Sequence, residues 1–325
     1  MRILVTGGAG YIGSVTTEIL IGAGHEVIVY DNLLYGYRDA VHPAALFEEG
    51  DLANKERLSD VFRAHPIDAV MHFAAHSIVP LSMSEPLPFV RENVTNAIDL
   101  LEVMAIYSVR RFILSSTASV YGDPERIPIQ EDDRLAPSSP YGESKLMIER
   151  MLHWCEVRYG LRYASLRYFN AAGASAEYGE NHSPETHLIP LALKVALELK
   201  DHLDIYGDDY PTRDGTCVRD YIHVVDLAEA HVLALGALEE SSCVYNLGNG
   251  LGFTVQDVVV AAREVTGQPI PTQIAPRRPG DPATLLASPD RIRRELGWKP
   301  RHPDLRDIIQ SAWRWTQTHP NGYAQ

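Results

Sequence analysis

Gly7, Gly10 and Gly13 recur at three-residue spacing directly after Ile3-Leu4-Val5, with Gly8-x-Gly10-x-x-Gly13 nested among them. The apolar triplet predicts a short buried strand. Ser14–Ala23, stopped by Gly24, predicts a helix. Strand, glycine turn and helix in that order make a dinucleotide fingerprint. The turn must be tight, the backbone must approach a pyrophosphate, and helix must pack close on strand. Each demand excludes a Cβ. A pyrophosphate then rests on the free N–H groups that begin the helix. The competing reading is a glycine-rich turn in an ordinary α/β protein.

What separates the two is an acid. Glu26–Tyr30 predicts a second strand, and Asp31 follows it, eighteen residues after Gly13. That is close to the roughly twenty residues at which a carboxylate meets a ribose 2′-OH. A carboxylate there repels a 2′-phosphate, so NAD is expected over NADP.

Asp and Glu outnumber Lys and Arg 43 to 29, a formal charge of -14. That balance argues against nucleic acid and anionic membrane as partners. An anionic ligand must instead be held by a few local cations. Only five residues are Lys. The three cysteines, Cys155, Cys217 and Cys243, have no paired spacing, and no HExxH occurs. His72/His76 and His182/His187 are a thin basis for a metal, and none is expected. With no signal peptide and no long apolar run, a reducing, cytoplasmic setting is expected.

Strand-like and helix-like stretches alternate through the first half: Ala45–Phe47, Asn54–His65, Asp68–Phe73, Pro86–Tyr107 as one long helix, Arg111–Ser116, Tyr141 onward, and Arg162–Tyr168. This predicts an α/β fold, a Rossmann-type doubly wound parallel sheet. The carboxyl ends of its strands should bring Gly7–Gly13, Asp31, Asp51, Phe73–Ala75, Ser115–Thr117 and Phe169-Asn170 to one crevice. After Asn170 the texture changes. His187–Lys200 reads as a helix and Leu203–Tyr206 as a strand. Tyr221–Val225 reads as a strand followed by a helix capped by Asp226. A smaller α/β substrate-binding domain is expected over the crevice. The division is 1–174 plus 216–248 for NAD, and 175–215 plus 249–325 for the substrate. Asn321–Gln325 is expected to be loose.

Ser139-Pro140 is a good helix start, and Tyr141 and Lys145 then share one face. A phenol near 10 is too weak a base at neutral pH. An ammonium at Lys145 and a positive nicotinamide would favour the phenolate. Tyr141 is then able to take a proton from a substrate hydroxyl as hydride leaves the same carbon, with Thr117 bonded to that oxygen. A solvated i,i+4 pair is the bland alternative. The order of fingerprint, hydroxyl-rich strand end and Tyr-x-x-x-Lys favours chemistry.

Thr6–Gly13, Ser115-Ser-Thr-Ala-Ser-Val-Tyr-Gly122, Tyr141-Gly-Glu-Ser-Lys145 and Arg167-Tyr-Phe-Asn170 resemble the extended short-chain dehydrogenase/reductase superfamily. Gly207–Val224, Tyr245–Gly248 and Ala275–Asp281 are similar to its UDP-glucose 4-epimerase family, and the likeness spans nearly the whole chain. The resemblance implies an isomerase with retained NAD that interconverts UDP-galactose and UDP-glucose. Tyr141 deprotonates the 4-OH, the 4-keto sugar rotates, and hydride returns to its other face. Lys145 tunes Tyr141 and holds the nicotinamide ribose. The NAD site implied comprises Gly7, Gly10, Tyr11, Ile12, Gly13, Asp31, Asn32, Asp51, Leu52, Phe73, Ala74, Ala75, Asn93, Ser115, Tyr141, Lys145 and Phe169. The UDP-hexose site comprises Thr117, Asn170, His187, Leu188, Tyr206, Arg219, Val255, Arg278, Asp281 and Leu285. Arg219 and Arg278 also fit on chemistry, as guanidinium forks for a diphosphate.

The chain departs from the family at Val15 and in the loop Ser77–Ser82, which places the covering of the nicotinamide in question. Leu285 stands where some members carry a bulky Tyr, which implies room for UDP-GlcNAc and UDP-GalNAc. A 4,6-dehydratase or decarboxylase of the same fold would carry an acid after Thr117, where Ala118 and Ser119 stand. A non-catalytic NAD-sensing protein would be expected to lose Tyr141 or Lys145. The resemblance also implies a homodimer through Pro86–Tyr107 and Pro140–Gly160. Val94, Ala97, Leu101, Met147, Met151 and Leu152 on those helices read equally well as packing on their own sheet.

Overall fold

The computed structural model describes residues 1–278 and 281–323; Pro279-Gly280 of the Ala275–Asp281 motif and Ala324-Gln325 lie outside the described residues. The first half runs β1 (Arg2–Thr6), α1 (Tyr11–Gly22), β2 (Glu26–Asp31), β3 (Leu46–Glu49), α2 (Lys55–Ala64), β4 (Ala69–His72), α3 (Val79–Ser84), α4 (Pro86–Val90), a π-helical turn at Arg91–Thr95, α5 (Asn96–Ile106), β5 (Arg111–Thr117), α6 (Pro140–Tyr159) and β6 (Arg162–Tyr168). The second runs β7 (Asn170–Ala172), α7 (Leu188–Ala196), β8 (Leu203–Tyr206), β9 (Val218–Arg219), β10 (Tyr221–His223), α8 (Val224–Ala237), β11 (Cys243–Leu247), β12 (Phe253–Thr254), α9 (Val255–Thr266), β13 (Thr272–Ala275), β14 (Thr284–Leu285), α10 (Asp290–Leu296) and α11 (Leu305–Thr318).

Seven strands form one parallel sheet in the order β11-β6-β5-β4-β1-β2-β3, the doubly wound arrangement expected. Strand periodicity splits its side chains between two cores. Ile3, Val5, Val27 and Val29 enter one, while Leu4, Ile28 and Tyr30 enter the other. A third core gathers α7, α9 and α11 around Leu203, Ile205 and Tyr221. Ile292 and Trp298, from the stretch assigned to the substrate half, pack in the first core. The Trp298 indole N–H donates to the Asp226 carbonyl (3.1 Å).

Several expectations are corrected. α1 begins at Tyr11, before Ser14, because Gly13 lies within its first turn. The long helix from Pro86 carries a π turn at Arg91–Thr95, and the loop before it folds as α3 with Pro80 in its first turn. Tyr221–Val225 is not a strand throughout. β10 ends at His223 and pairs with β7 outside the main sheet, whose seventh strand is β11. His223 caps α8 by accepting from the Val225 N–H (3.1 Å). Asp226 instead accepts from the Arg301 and His302 N–H groups (2.8 and 2.9 Å). The loop before α11 thus takes the carboxylate that sequence assigned to a cap. Tyr323 is not loose. Its ring is buried against Trp315 and Tyr37, and its hydroxyl bonds both the N–H and the carbonyl of Gly179.

Candidate active site

The glycine turn is closed by contacts that admit no side chain. A Cβ on Gly7, whose φ is +74°, would lie 2.5 Å from the Ala74 nitrogen. One on Gly13 would lie 2.2 Å from the Gly7 carbonyl oxygen. Gly10 caps α1 without a side chain, and the first turn (Tyr11, Ile12, Gly13) carries no acid, so its N–H groups and dipole face the crevice uncompensated. The Tyr11 hydroxyl is turned away, donating to the Gly173 carbonyl (2.6 Å). This cradle fits the pyrophosphate of a dinucleotide.

Asp31 closes one side. Its carboxylate accepts from the N–H groups of Ala9 (3.0 Å) and Leu33 (2.9 Å). Burial raises its pKa above the usual carboxylate value, with those two bonds opposing. Asn32 donates to Asp51 (2.8 Å), tying the ends of β2 and β3, and Leu52 is buried beside them. Phe73 and Ala74 are pinned to the Thr6 carbonyl (2.9 and 3.1 Å), which carries Ala75 past the fingerprint.

Asn93 sits in the π turn, 2% exposed, and spends its amide on protein. It accepts from the His76 N–H (2.8 Å) and donates to the His76 carbonyl and to Ser144 Oγ (both 3.0 Å). The extra residue of a π turn re-aims a side chain in this way. Asn93 therefore locks the loop after β4 to the helix turn between Tyr141 and Lys145.

Ser139 caps α6 by accepting from the Gly142 N–H (3.2 Å), and Pro140 occupies the first turn, as read from sequence. Tyr141 is 9% exposed and Lys145 1%. Burial pushes the Tyr141 hydroxyl up to about 12, with the Thr117 hydroxyl pulling the other way. Burial pushes Lys145 down to about 8, against the pull of Glu149 one turn on. The Lys145 charge is not among the groups that move the Tyr141 hydroxyl. That charge acts on His72, which burial first and Lys145 second hold down to about 3. Among protein groups the phenol stays protonated, which leaves the positive nicotinamide to favour the phenolate. Thr117 ends β5, and its hydroxyl donates to Ser119 Oγ (3.2 Å). Ser115 bonds the Tyr168 hydroxyl instead of facing the crevice with a free oxygen.

A buried network beneath α6 was missed by sequence reading. Arg167 and Glu149, 5% and 7% exposed in their side chains, form a fork with bonds of 3.0, 3.2 and 2.6 Å. Ser116 donates to the same carboxylate (2.6 Å), and Arg167 also donates to the Tyr121 hydroxyl (2.9 Å). Tyr121 donates in turn to Asn246 Oδ1 (2.7 Å). The signal was present: Glu149 follows Lys145 by four, on the same helix face.

On the substrate side, the Asn170 N–H donates to the Asp220 carbonyl (2.9 Å), which brings β7 beside Arg219. Arg219 pairs in register with Leu285 and bonds the Asp281 carboxylate, so these two predicted residues meet each other. The Arg278 guanidinium lies over the Tyr206 ring, 3.9 Å from its centroid. Val255 opens α9, its N–H on the Cys217 carbonyl (3.1 Å). Phe169 and Leu285 both pack against the buried cluster of Val120, Tyr121, Ile129 and Leu146, the last of which follows Lys145. His187 and Leu188 open α7, but the His187 Nδ1 is engaged by Glu180 (2.7 Å). Asp220, buried and pushed up to about 6 by desolvation, accepts three backbone N–H groups at 2.7–3.0 Å and clamps this region.

The profile of the NAD dependent epimerase/dehydratase family matches residues 3–248. The chain belongs to that family. It is similar to UDP-glucose 4-epimerase of Lacticaseibacillus casei, 50% identical with 99% of each chain covered. Among solved structures it is similar to the UDP-glucose 4-epimerase of Brucella ovis in complex with NAD (44% identical, TM-score 0.94, 97% and 98% covered). It is also similar to the UDP-Glc/GlcNAc 4-epimerase of Campylobacter jejuni (40%, TM-score 0.86, 98% and 99% covered). NAD is the cofactor of this epimerase family, and the glycine cradle described above fits it.

Three histidines of this chain, His72, His223 and His231, are buried. His231 lies against Phe73 and Tyr168, its Nδ1 2.8 Å from the Leu227 carbonyl oxygen. Burial holds it down to about 4, with the Leu227 carbonyl opposing; burial holds His72 to about 3 and His223 to about 4. A depressed folded pKa means that the unfolded chain binds more protons below pH 6.5. Stability is therefore expected to fall as pH drops from 6.5 toward 4, by about 1.4 kcal/mol per pH unit per histidine. Urea unfolding at successive pH values should show His231→Met reducing that slope by one proton. An unchanged slope would refute the assignment.

Proposed function

We propose that this chain interconverts UDP-galactose and UDP-glucose, by oxidation at C4 and re-reduction on the opposite face. The observation that carries the reading is a buried Tyr141–Lys145 pair with Thr117 beside the phenol, at the carboxyl end of a sheet whose glycine turn admits a pyrophosphate. When bound, NAD supplies the acceptor and donor of hydride. Tyr141 takes the proton of the sugar 4-OH and returns it, and Thr117 holds that oxygen. Lys145 supplies a buried amine one turn on, its pKa pushed down to about 8 by burial. Arg219, its plane fixed by Asp281, and Arg278, stacked on Tyr206, are placed to bind the diphosphate. Asn170, His187, Leu188 and Val255 line the way in. The remaining NAD-site assignments stand as made from sequence, with Asn93 and Ser115 positioning it through protein bonds.

The two-part division at 174, 216 and 248 belongs to the same reading, with Ile292 and Trp298 docked on the NAD-binding part. So does a homodimer. Ala97, Leu101 and Leu152 are buried in the protomer's own core, whereas Leu87, Ile106, Met151, Trp154 and Val157 are exposed on the same helices. An apolar face of that kind suits a second copy. Sedimentation should give twice the 36.1 kDa of one chain. Among the described residues no helix is long and apolar enough to cross a membrane.

Purified protein given UDP-galactose and no added cofactor should yield UDP-glucose. No product even with NAD supplied would overturn the substrate. Leu285, smaller than Tyr and in register with Arg219, favours a second reading in which N-acetylated sugars also turn over. Leu285→Tyr is expected to cut turnover of UDP-GlcNAc about tenfold or more while sparing UDP-galactose. Equal effects on both substrates would remove it.

A further inference from the structure

The segment between β7 and α7 gathers Glu180, His182, Glu185 and His187, with one donor atom from each lying within 4.8 Å of all the others. His182 Nδ1 is 3.1 Å from Glu180 Oε1 and 3.9 Å from Glu185 Oε2. His187 Nδ1 is 2.7 Å from Glu180 Oε1 and 3.2 Å from Glu185 Oε1. Two nitrogens and two carboxylates bound to one ion at about 2.0–2.1 Å in a tetrahedron require edges of about 3.3 Å. The two separations to Glu180 Oε1, 3.1 and 2.7 Å, and the two to one or other Glu185 oxygen, 3.9 and 3.2 Å, lie on either side of that value.

Charge balance allows such a site. The Glu180 and Glu185 side chains are 7% and 3% exposed, and among the described residues neither has a Lys or Arg partner. Two buried carboxylates need two compensating positive charges. Either both imidazoles are protonated, or both are neutral and one divalent cation sits among the four groups. Glu185 is oriented in advance by the N–H groups of Thr186 (2.7 Å) and His187 (2.8 Å). In the sequence, His182 and His187 alone are a thin basis for a metal. The two glutamates, Glu180 two residues after Tyr178 and Glu185 directly after Pro184, complete the set only in the fold.

We propose that Glu180, His182, Glu185 and His187 form a structural Zn²⁺ site. Two nitrogens and two oxygens in a tetrahedral set suit that ion. All four positions are filled by the protein, so the ion offers no open position for chemistry. Its role is to pin the 180–187 loop. His182 meets the edge of the Tyr11 ring (6.2 Å between centroids), and Tyr11 opens α1. His187 opens α7. The clip therefore fixes the substrate-side helix against the helix of the nucleotide turn.

The test uses the full chain with its NAD. After dialysis against a chelator, the protein is titrated with Zn²⁺ alone and, separately, with Co²⁺ alone. The expected results are about one tightly held Zn²⁺ per chain, a raised melting temperature with Zn²⁺, and the visible bands of tetrahedral Co²⁺. His182→Ala and Glu185→Gln should each abolish the bound ion. Should either variant fold poorly, His182→Asn, with NAD content and circular dichroism confirming the fold, reads the same loss. No bound Zn²⁺, or full stoichiometry in the folded variants, overturns the site. These readouts need no turnover, so they stand apart from the proposed substrate.

Discussion

Tyr141→Phe is expected to lower turnover of UDP-galactose by about 10³–10⁴-fold, roughly 4–5.5 kcal/mol of barrier, while NAD stays bound. The phenol is the group placed to carry the substrate proton, and loss of its oxygen removes that route in both directions. The ring itself remains, filling the same buried volume at the start of α6. Folding and the glycine cradle should therefore be untouched. Turnover measured alongside NAD released on denaturation checks both halves. A variant with full activity and full NAD would refute the role of Tyr141. One that loses NAD as well would show that the hydroxyl serves binding rather than proton transfer.

The largest effect on stability is expected from Arg167→Met. Arg167 and Glu149 are a buried pair, and removal of the cation leaves a carboxylate with Ser116 as its remaining side-chain donor. Breaking such a pair costs about 3–5 kcal/mol. At this chain length that is a fall in melting temperature of roughly 4–7 °C. The loss should also loosen α6, because Glu149 is the point at which that helix is tied to β5 and β6. The double variant Arg167→Met with Glu149→Leu removes both charges and should recover much of the loss. Calorimetry on the two proteins decides it. A double variant no better than the single one would mean that shape, not charge, holds the helix.

Much of the nucleotide half was legible because its signals are local. Glycines at positions 7, 10 and 13 exclude side chains, Ser139-Pro140 starts a helix, and i,i+4 spacing puts Tyr141 and Lys145 on one face. Each rests on backbone geometry within a few residues. The glycine contacts at 2.2 and 2.5 Å are the tertiary counterpart of that pattern. Where the reading failed, the partner lay far along the chain. Asp226 was read as a cap because caps are local, but its carboxylate bonds N–H groups 75 and 76 residues away. The terminal Asn321–Gln325 is expected from sequence to be loose, yet the Tyr323 hydroxyl finds Gly179 across 144 residues.

The sequence by itself determined the parallel sheet, the dinucleotide turn and the placing of Tyr141 and Lys145 on one helix face, all of which follow from short-range sterics and periodicity. Only the tertiary structure decided how that pair is charged. Burial is a property of everything packed around a group, and it moves Tyr141 up and Lys145 down in opposition to the simple attraction between neighbours. The same holds for the Arg167–Glu149 fork and for the four donors at residues 180–187, whose meaning lies in distances that no spacing along the chain encodes.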